Sequence, residues 1–581
     1  MSNTAAVLGR IGVQLESLSN PGEVLIFSGT VASIGAGANP TIQPDAVSGS
    51  SAYTGSRLLI VVSGNSATGS VSLAGKDFSQ AQNAITETTP TIPIAGSPSN
   101  PLNSGYEYVT ANIFSVFSNN GITVSGLTGG TVKIYAIEGA RSLQPAMFDA
   151  EEKIAMYSPQ EQRGLVSRNS NIQRLNKVVD ISKLEQDFYP DTCAWWFGRC
   201  VVGSNPTQVT LPGTPTVLLN TTTVSSLPTS ATAQPNSVAL AEIIQVIVTG
   251  SSAVGTVTIT GNNWFGQAII ETIQCGVPGA ANGNGTFYSI QAFATINGSG
   301  ISASGLTGGS VKISGYYLLQ ETYTASSAGA GDTLQSVSLE WYTGADAVVL
   351  PYTYFTEVTL EGSAEKEMKL TAKGGAQDML TIGNRSTTPQ AASTYATQIG
   401  APGSFSSTGS GAGGVWEPYD FGVSGWQVQW YIDALSGTPG TTAYNSVVDW
   451  KVTFKTPQKP SYTSINWNRL QKVYRQQRET EIQLTVDFID VIQYEQFRQN
   501  IKQLLQLYIQ GPPVGAGGAY KNWTFNFAAR LTEAKRDASK MDRVEATFKF
   551  TCEYTLNAFG AGVHGEYQLI TQTQMPANYA A

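Results

Sequence analysis

Short runs in which apolar and polar residues alternate dominate this chain, and few stretches carry the three-to-four spacing of a helix. Near the C-terminus, 481–488 places Ile482, Leu484, Val486 and Phe488 on one side and Glu481, Gln483, Thr485 and Asp487 on the other. In 544–554, Val544, Ala546, Phe548, Phe550, Cys552 and Tyr554 alternate with Glu545, Thr547, Lys549, Thr551 and Glu553. The period of two predicts two strands of one sheet, with an apolar core face and a polar face. Between them, 490–510 carries Phe497, Ile501, Leu504, Leu505 and Tyr508 at helical spacing. Asp490 and Gln493 stand as a capping box, and Gly511-Pro512-Pro513 as a stop. The spacing predicts a helix packed on the apolar face. Further strands are expected at 337–341, 355–360, 366–372, 426–432 and 447–454. The Ser/Thr/Gly-rich 384–414 reads as a long, mobile loop.

An internal duplication organises the first half. SGNSATGSVSLAGKDF at 63–78 matches TGSSAVGTVTITGNNWF at 249–265, and GITVSGLTGGTVKI at 121–134 matches GISASGLTGGSVKI at 300–313. The two copies, 24–140 and 204–320, read as short strands between Gly/Ser/Asn/Pro turns. Their length fits an immunoglobulin-like β-sandwich of about 100 residues. The repeated Gly-Leu-Thr-Gly-Gly resembles a phosphate-cradling loop in composition, but no Lys-Ser/Thr pair and no helix follow, so a hairpin turn is the expectation. From 201 to 320 the charged residues are Glu242, Glu271 and Lys312 alone. Such a module displays surface and does no acid/base work.

The segments around the modules are charge-dense, above all 141–199, which marks a boundary. Overall the chain has 581 residues, 13% of them charged, 60 glycines and a net charge of -8. Length alone suggests about three or four domains. The composition is that of a globular, β-rich protein, and the acidic balance argues against wrapping nucleic acid. No apolar run reaches the ~18 residues of a membrane span, and Arg10 and Glu16 interrupt any secretory core near the N-terminus. Four cysteines without a C-x-x-C (Cys193, Cys200, Cys275, Cys552) and a single histidine, His564, offer no metal set and no His-based triad. No cofactor is expected, and all four thiols are expected free. Adjacent carboxylates (Glu151 with Glu152, Asp487 near Asp490) and aromatic pairs (Trp195-Trp196, Tyr316-Tyr317) are the only material for a carbohydrate-active enzyme. Solvated charge and core packing are the simpler readings of each.

The segment 148–203, FDAEEKIAMYSPQEQRGLVSRNSNIQRLNKVVDISKLEQDFYPDTCAWWFGRCVVG, resembles the first part of the tail tube proteins (major tail proteins) of long-tailed bacteriophages with non-contractile tails. The shared parts are Arg163-Gly164, the basic stretch 176–183, the turn Tyr189-Pro190-Asp191, the apolar 195–197 and Gly203. The stretch 334–373 is similar to the following hairpin, 462–497 to a later portion with Asn466 and Asn468, and 544–554 to the closing strand. Residues 6–21 resemble the opening strand and turn. The resemblance covers about half the chain and rests on order and spacing.

It implies a discontinuous tube domain, a β-barrel or sandwich with a flanking helix, in segments 1–23, 141–203 and 321–560. The two modules would be inserted and projecting outward, dispensable for ring closure, and a tail would occupy 561–581. It further implies homo-oligomeric, hexameric stacked rings in a virion assembled in the host cytoplasm. The implied partners are tail terminator, tape measure and distal tail proteins, with double-stranded DNA passing without specific binding and no membrane. By the same token Glu481, Gln483, Thr485, Asp487, Glu545, Thr547 and Glu553 would line an acidic channel. A virion decoration protein or β-sandwich adhesin is the alternative that the modules by themselves would support.

Overall fold

A computed structural model describes residues 10–16, 22–44, 56–77, 84–97, 100, 105–138, 141–142, 146–157, 173–203, 206–235, 240–264, 266–276, 282–325, 334–342, 347–382, 422–462, 470–487, 492–515, 518–537 and 545–574. Arg163, Gly164, Asn466, Asn468, Phe488, Asp490, Val544 and the 384–414 stretch lie outside them. The chain is mainly β, built from antiparallel sheets.

The two repeats are four-on-three β-sandwiches of identical connectivity. In the first, Thr131–Glu138 lies between Val24–Thr30 and Ser56–Ser63, and Tyr106–Val109 flanks the latter. Ser70–Asp77 lies between Ala84–Thr88 and Phe114–Ser125. The second repeats this with Ser310–Tyr316 between Thr216–Thr223 and Glu242–Thr249, Gly285–Phe293 outside, and Gly255–Asn262 between Ala268–Cys275 and Thr295–Ser304. Each buries its own Val/Ile/Leu core. The seventh strand pairs with the first and second, whereas the last strand of an immunoglobulin domain sits beside the sixth. The likeness to that fold is therefore one of size and layering, not strand order. The Gly-Leu-Thr-Gly-Gly segments are turns: Gly126, Gly129 and Gly130, like Gly305, Gly308 and Gly309, have φ between 67 and 80°, a region that disfavours any Cβ.

The body consists of three sheets joined by two long strands. Ala347–Ser363 pairs through its first half with Val337–Tyr342 and Leu380–Thr381, and through its second with Lys369–Ala376 and Val447–Lys455. Tyr520–Asp537 pairs through its first half with Lys502–Pro513 and Tyr567–Thr573, then through its last residues with Glu545–Cys552. Among the described residues the ladders branch at these two long strands, and the bridge between Glu367 and Ser424 ties the segment before Lys369–Ala376 to the one leading into Val428–Ala434.

The largest sheet has eight strands, in the order Ala146–Tyr157, Gln173–Asp187, Lys369–Ala376, Ala347–Ser363, Val447–Lys455, Glu479–Asp487, Glu545–Cys552 and Tyr520–Asp537. Its apolar face meets the sheet built on Lys502–Pro513 and Tyr567–Thr573, and the helix Pro190–Phe197 with its π-turn to Val202 fills the space between. There Phe197 packs edge-on to Phe454 and Phe525, and Trp523 donates to the Pro190 carbonyl.

Two expectations are corrected here. The helix foreseen over 490–510 is only Ile492–Arg498; Asn500 turns to φ 54°, and Lys502–Pro513 is a strand. Phe497 packs on the core and Ile501 is exposed. Leu504 and Leu505 are buried on opposite sides of that strand, and Tyr508 is half-buried. A run such as Leu504-Leu505-Gln506-Leu507-Tyr508-Ile509 satisfies both periods, and the long partner strand 520–530 decides between them. The 561–581 tail likewise contains Tyr567–Thr573, a strand between Leu318–Thr324 and Tyr520–Asp537.

Both modules are keyed into the body at equivalent positions, the second residue of their second strand and the seventh of their seventh. In the first module these are Arg57 and Ile137, in the second Ile243 and Tyr316. Ile137, with Leu59 and Val109, packs on Val349, Leu380 and Ile382. Ile243 and Tyr316 pack on Leu319. Arg57 donates through Nε (2.5 Å) and Nη2 (2.9 Å) to the two oxygens of Glu340, both side chains fully buried.

Candidate functional site

The polar face of the eight-stranded sheet is the most organised chemical surface of the molecule. Beneath it Leu370, Leu360, Val452, Ile482, Phe550 and Leu531 run in register across six strands, all buried. Leu484, Val486 and Phe548 are buried in the same layer. Alternation therefore turns the intervening residues outward. Asp187, Lys369, Glu361, Lys451, Gln483, Lys549 and Glu533 form one line across seven strands. Lys373, Glu357, Lys455 and Glu479 form a second.

These lines close into cross-strand ion pairs. Lys455 lies 3.2 Å from Glu479 and 3.1 Å from Glu481. Lys373 is 2.8 Å from Glu357, Lys549 2.7 Å from Glu533 and Lys369 3.2 Å from Glu185. Glu553, just past the last residue of its strand, meets Arg530 and Lys502, each at 2.9 Å. Arg530 and Lys502 hold the Glu553 carboxyl below its ordinary value, and Lys183 and Lys369 do the same for Glu185. Gln483 is exposed, and Thr485 sits opposite Thr547, both half-buried. Asp487 sits opposite Glu545, the one place where two of these acids face each other across the ladder.

The acidic, polar surface expected from 481–487 and 545–553, on which Lys549 was the one cation, is thus corrected to one of mixed charge. Lysines from Lys369–Ala376 and Val447–Lys455, strands distant in sequence, complete it. Alternating Glu/Lys in "EVTLEG", "KLTAKG" and "DWKVTFK" was the available signal, but which acid meets which lysine is set by register.

Among the described residues the other candidate groups lie apart from one another; Asp490 and the Trp195 side chain lie outside them. Glu151 and Glu152 are exposed on the outer strand, with Lys153 3.0 Å from Glu151. Trp196 and Tyr316 are buried in the core and in the module contact. All four cysteines are buried outside any disulfide, Cys193 Sγ accepting from Gln186 Nε2 at 2.7 Å, and burial pushes the Cys275 thiol up to about 12. No group of three or more His, Cys, Asp or Glu suited to a metal occurs among the described residues. His564 Nδ1 accepts from the Asn557 N–H at 2.9 Å and so ties a surface turn. No helix of the described residues is long and apolar enough to cross a membrane.

A pH dependence follows. A carboxylate whose folded pKa is depressed contributes stability that is present above its unfolded value and lost as pH falls through the folded one. Glu553→Gln should therefore lower the thermal midpoint modestly at pH 7, as half-exposed pairs do. The gap to the parent should close as pH falls below the ordinary Glu value of 4.5. A gap independent of pH would mean that Glu553 is not held by Arg530 and Lys502.

Neither a protein-family model nor a curated protein matches the chain. Solved structures show a slight likeness. The PBSX exported protein XepA is 12% identical over 55% of this chain and 88% of its own, with a TM-score of 0.10. The infectious bursal disease virus Gt strain structure is 11% identical over 65% of this chain and 81% of its own, TM-score 0.08. The VP2 subviral particle of that virus gives 11%, 65%, 80% and 0.08. At such scores the likeness carries no argument about this chain.

Proposed function

We propose that this chain is a structural virion protein, and more narrowly the subunit of a phage tail tube. Copies would stand side by side in rings, six to a ring, and the rings stack into a hollow cylinder. The observation that carries the reading is the eight-stranded sheet, one face lined by charged and polar side chains across seven strands and the other sealed by a core. Its outer strand Ala146–Tyr157 has no second neighbour among the described residues. An unpaired edge is an addition site for another strand, and side-by-side addition would extend the polar face around a bore.

Glu481, Gln483, Thr485, Asp487, Glu545, Thr547 and Glu553 would then look into the channel with their lysine partners. Because charges of opposite sign alternate within a few ångströms, their fields cancel over distances shorter than the ~8 Å screening length at physiological salt. Phosphates moving past such a wall would meet no continuous cationic track and so little adhesion. Ring ends would serve the tail terminator, tape measure and distal tail proteins. No step of this reading calls for catalysis or a cofactor.

The nearly chargeless second module favours the alternative, a surface or decoration protein. Of its charged residues, Glu242 and Glu271 are buried. Negative-stain microscopy of the purified chain, concentrated at low salt, separates the two. Rings or hollow tubes are expected for the first, whereas dispersed single particles at every concentration would refute it.

A further inference from the structure

The sheet of Val428–Ala434, Lys502–Pro513, Tyr520–Asp537, Tyr567–Thr573 and Leu318–Thr324 lies across the core from the charged face. Leu507, Phe525 and Leu569 point into that core, so the alternate positions look outward. There Gln429, Tyr508, Thr524, Ile570 and Thr322 stand in register across the five strands. Gln510, Asn522, Gln572 and Gln320 form the next row, over four of them. Neither row contains an Asp, Glu, Lys or Arg, whereas Glu and Lys make up most of the rows of the eight-stranded sheet. At ~4.8 Å between strands the first row spans roughly 19 Å.

These side chains form a floor that is internally bonded and walled. Asn522 Nδ2 donates to Gln572 Oε1 and Gln572 Nε2 to Gln320 Oε1, each at 2.8 Å. Gln572 thereby uses one N–H and one oxygen lone pair and keeps one of each. Tyr508 has Tyr431 and Tyr520 for neighbours, and burial together with them raises its phenol, which stays a donor at neutral pH. Tyr520 stands at the rim, 37% exposed. At one end of the strands Gln574 donates to the Ala241 carbonyl of the second module at 2.9 Å. At the other the turn at Gly440 closes over Gln506, where a Cβ would stand 2.4 Å from Oε1. Between these walls the residues of both rows are half-buried.

We propose that this floor binds an uncharged polysaccharide, laid across the strands between the two walls. An amide that offers an N–H and an oxygen side by side matches neighbouring sugar hydroxyls, each of which both donates and accepts. Tyrosines give ring surface to the apolar face of a sugar and an O–H to its edge. A nucleic acid or sulfated chain would need cations that the two rows lack. A peptide would need apolar anchoring pockets, and Ile570 is the sole aliphatic residue of the two rows. The inference goes beyond the assembly reading and requires no ring, because the floor lies on the layer opposite the face assigned to the bore.

A printed array of unbranched neutral glucan, galactan and N-acetylglucosamine oligomers, with heparin fragments beside them, tests it. The full chain should bind at least one neutral series, more strongly as the oligomer lengthens, and no heparin. Titration calorimetry with the oligomer bound should show affinity about fivefold weaker or more for Gln572→Met, which keeps the stem and deletes the amide. Tyr520→Ala, at an exposed position that folding tolerates, should weaken it to a similar degree. Lys133→Gln, exposed on the first module, should bind as the parent does. Binding of no neutral oligomer, a preference for heparin, or parental affinity in both Gln572→Met and Tyr520→Ala overturns the site. A change of sedimentation in Tyr520→Ala, in a chain that binds no glycan, would make the floor a contact between copies instead. None of these outcomes bears on rings, so the tube reading is judged separately by microscopy.

Discussion

Replacing Arg57 by methionine is expected to cost about 3–5 kcal/mol of folding stability, the range for a buried ion pair that loses one partner. The guanidinium belongs to the first module and its carboxylate partner to the body, 283 residues away. Glu340 is fully buried in Val337–Tyr342, between Gly12 and Val349 in the ladder. The remaining Arg57 nitrogen donates to the carbonyls of Thr110 and Ala111. Methionine fills similar volume but removes both Arg57 hydrogen bonds to the buried Glu340 carboxyl. Arg57→Met with Glu340→Met should recover most of the loss, since the cost of breaking such a pair is chiefly that of the stranded charge. Denaturant midpoints of the three variants check this, and a single variant within about 1 kcal/mol of the parent would show that the pair is not buried in solution. The same geometry bears on the expectation that the modules are dispensable. Excising 24–138 would take Arg57 away from Glu340 and bare Val349, Leu380 and Ile382, so the first module contributes to the body's stability.

Leu484→Pro is expected to prevent the body from folding. Leu484 is fully buried, with Trp450 on one side of its strand and Phe548 on the other. Proline there deletes a ladder donor from a strand paired on both sides, where no water replaces it, and removes a core side chain as well. Leu484→Ala provides the comparison: the ladder survives and about 2–5 kcal/mol is lost to the cavity. Near-ultraviolet circular dichroism and solubility read both variants. A soluble Leu484→Pro protein with parental packing would place Glu479–Asp487 at an edge rather than at the centre.

Much of this molecule was determined locally. Alternation in 481–487 and 545–552 dictates which side chains share a face, because successive residues of a strand point to opposite sides whatever it pairs with. The duplication dictates two like modules, and the Gly-Leu-Thr-Gly-Gly turns follow from glycine's access to positive φ. Tertiary structure decided what depends on distant partners. The run 502–510 became a strand because 520–530 lies beside it, and 567–573 became one by inserting between 318–324 and 522–527. The acids of 481–553 belong to a mixed-charge face because register sets Lys455 beside Glu481 and Arg530 beside Glu553. Arg57 found Glu340 only through the packing of module on body. A residue's own neighbours in sequence set its face and its turn, whereas charge pairing and module docking are sums over contacts between segments hundreds of residues apart, and no local period encodes them.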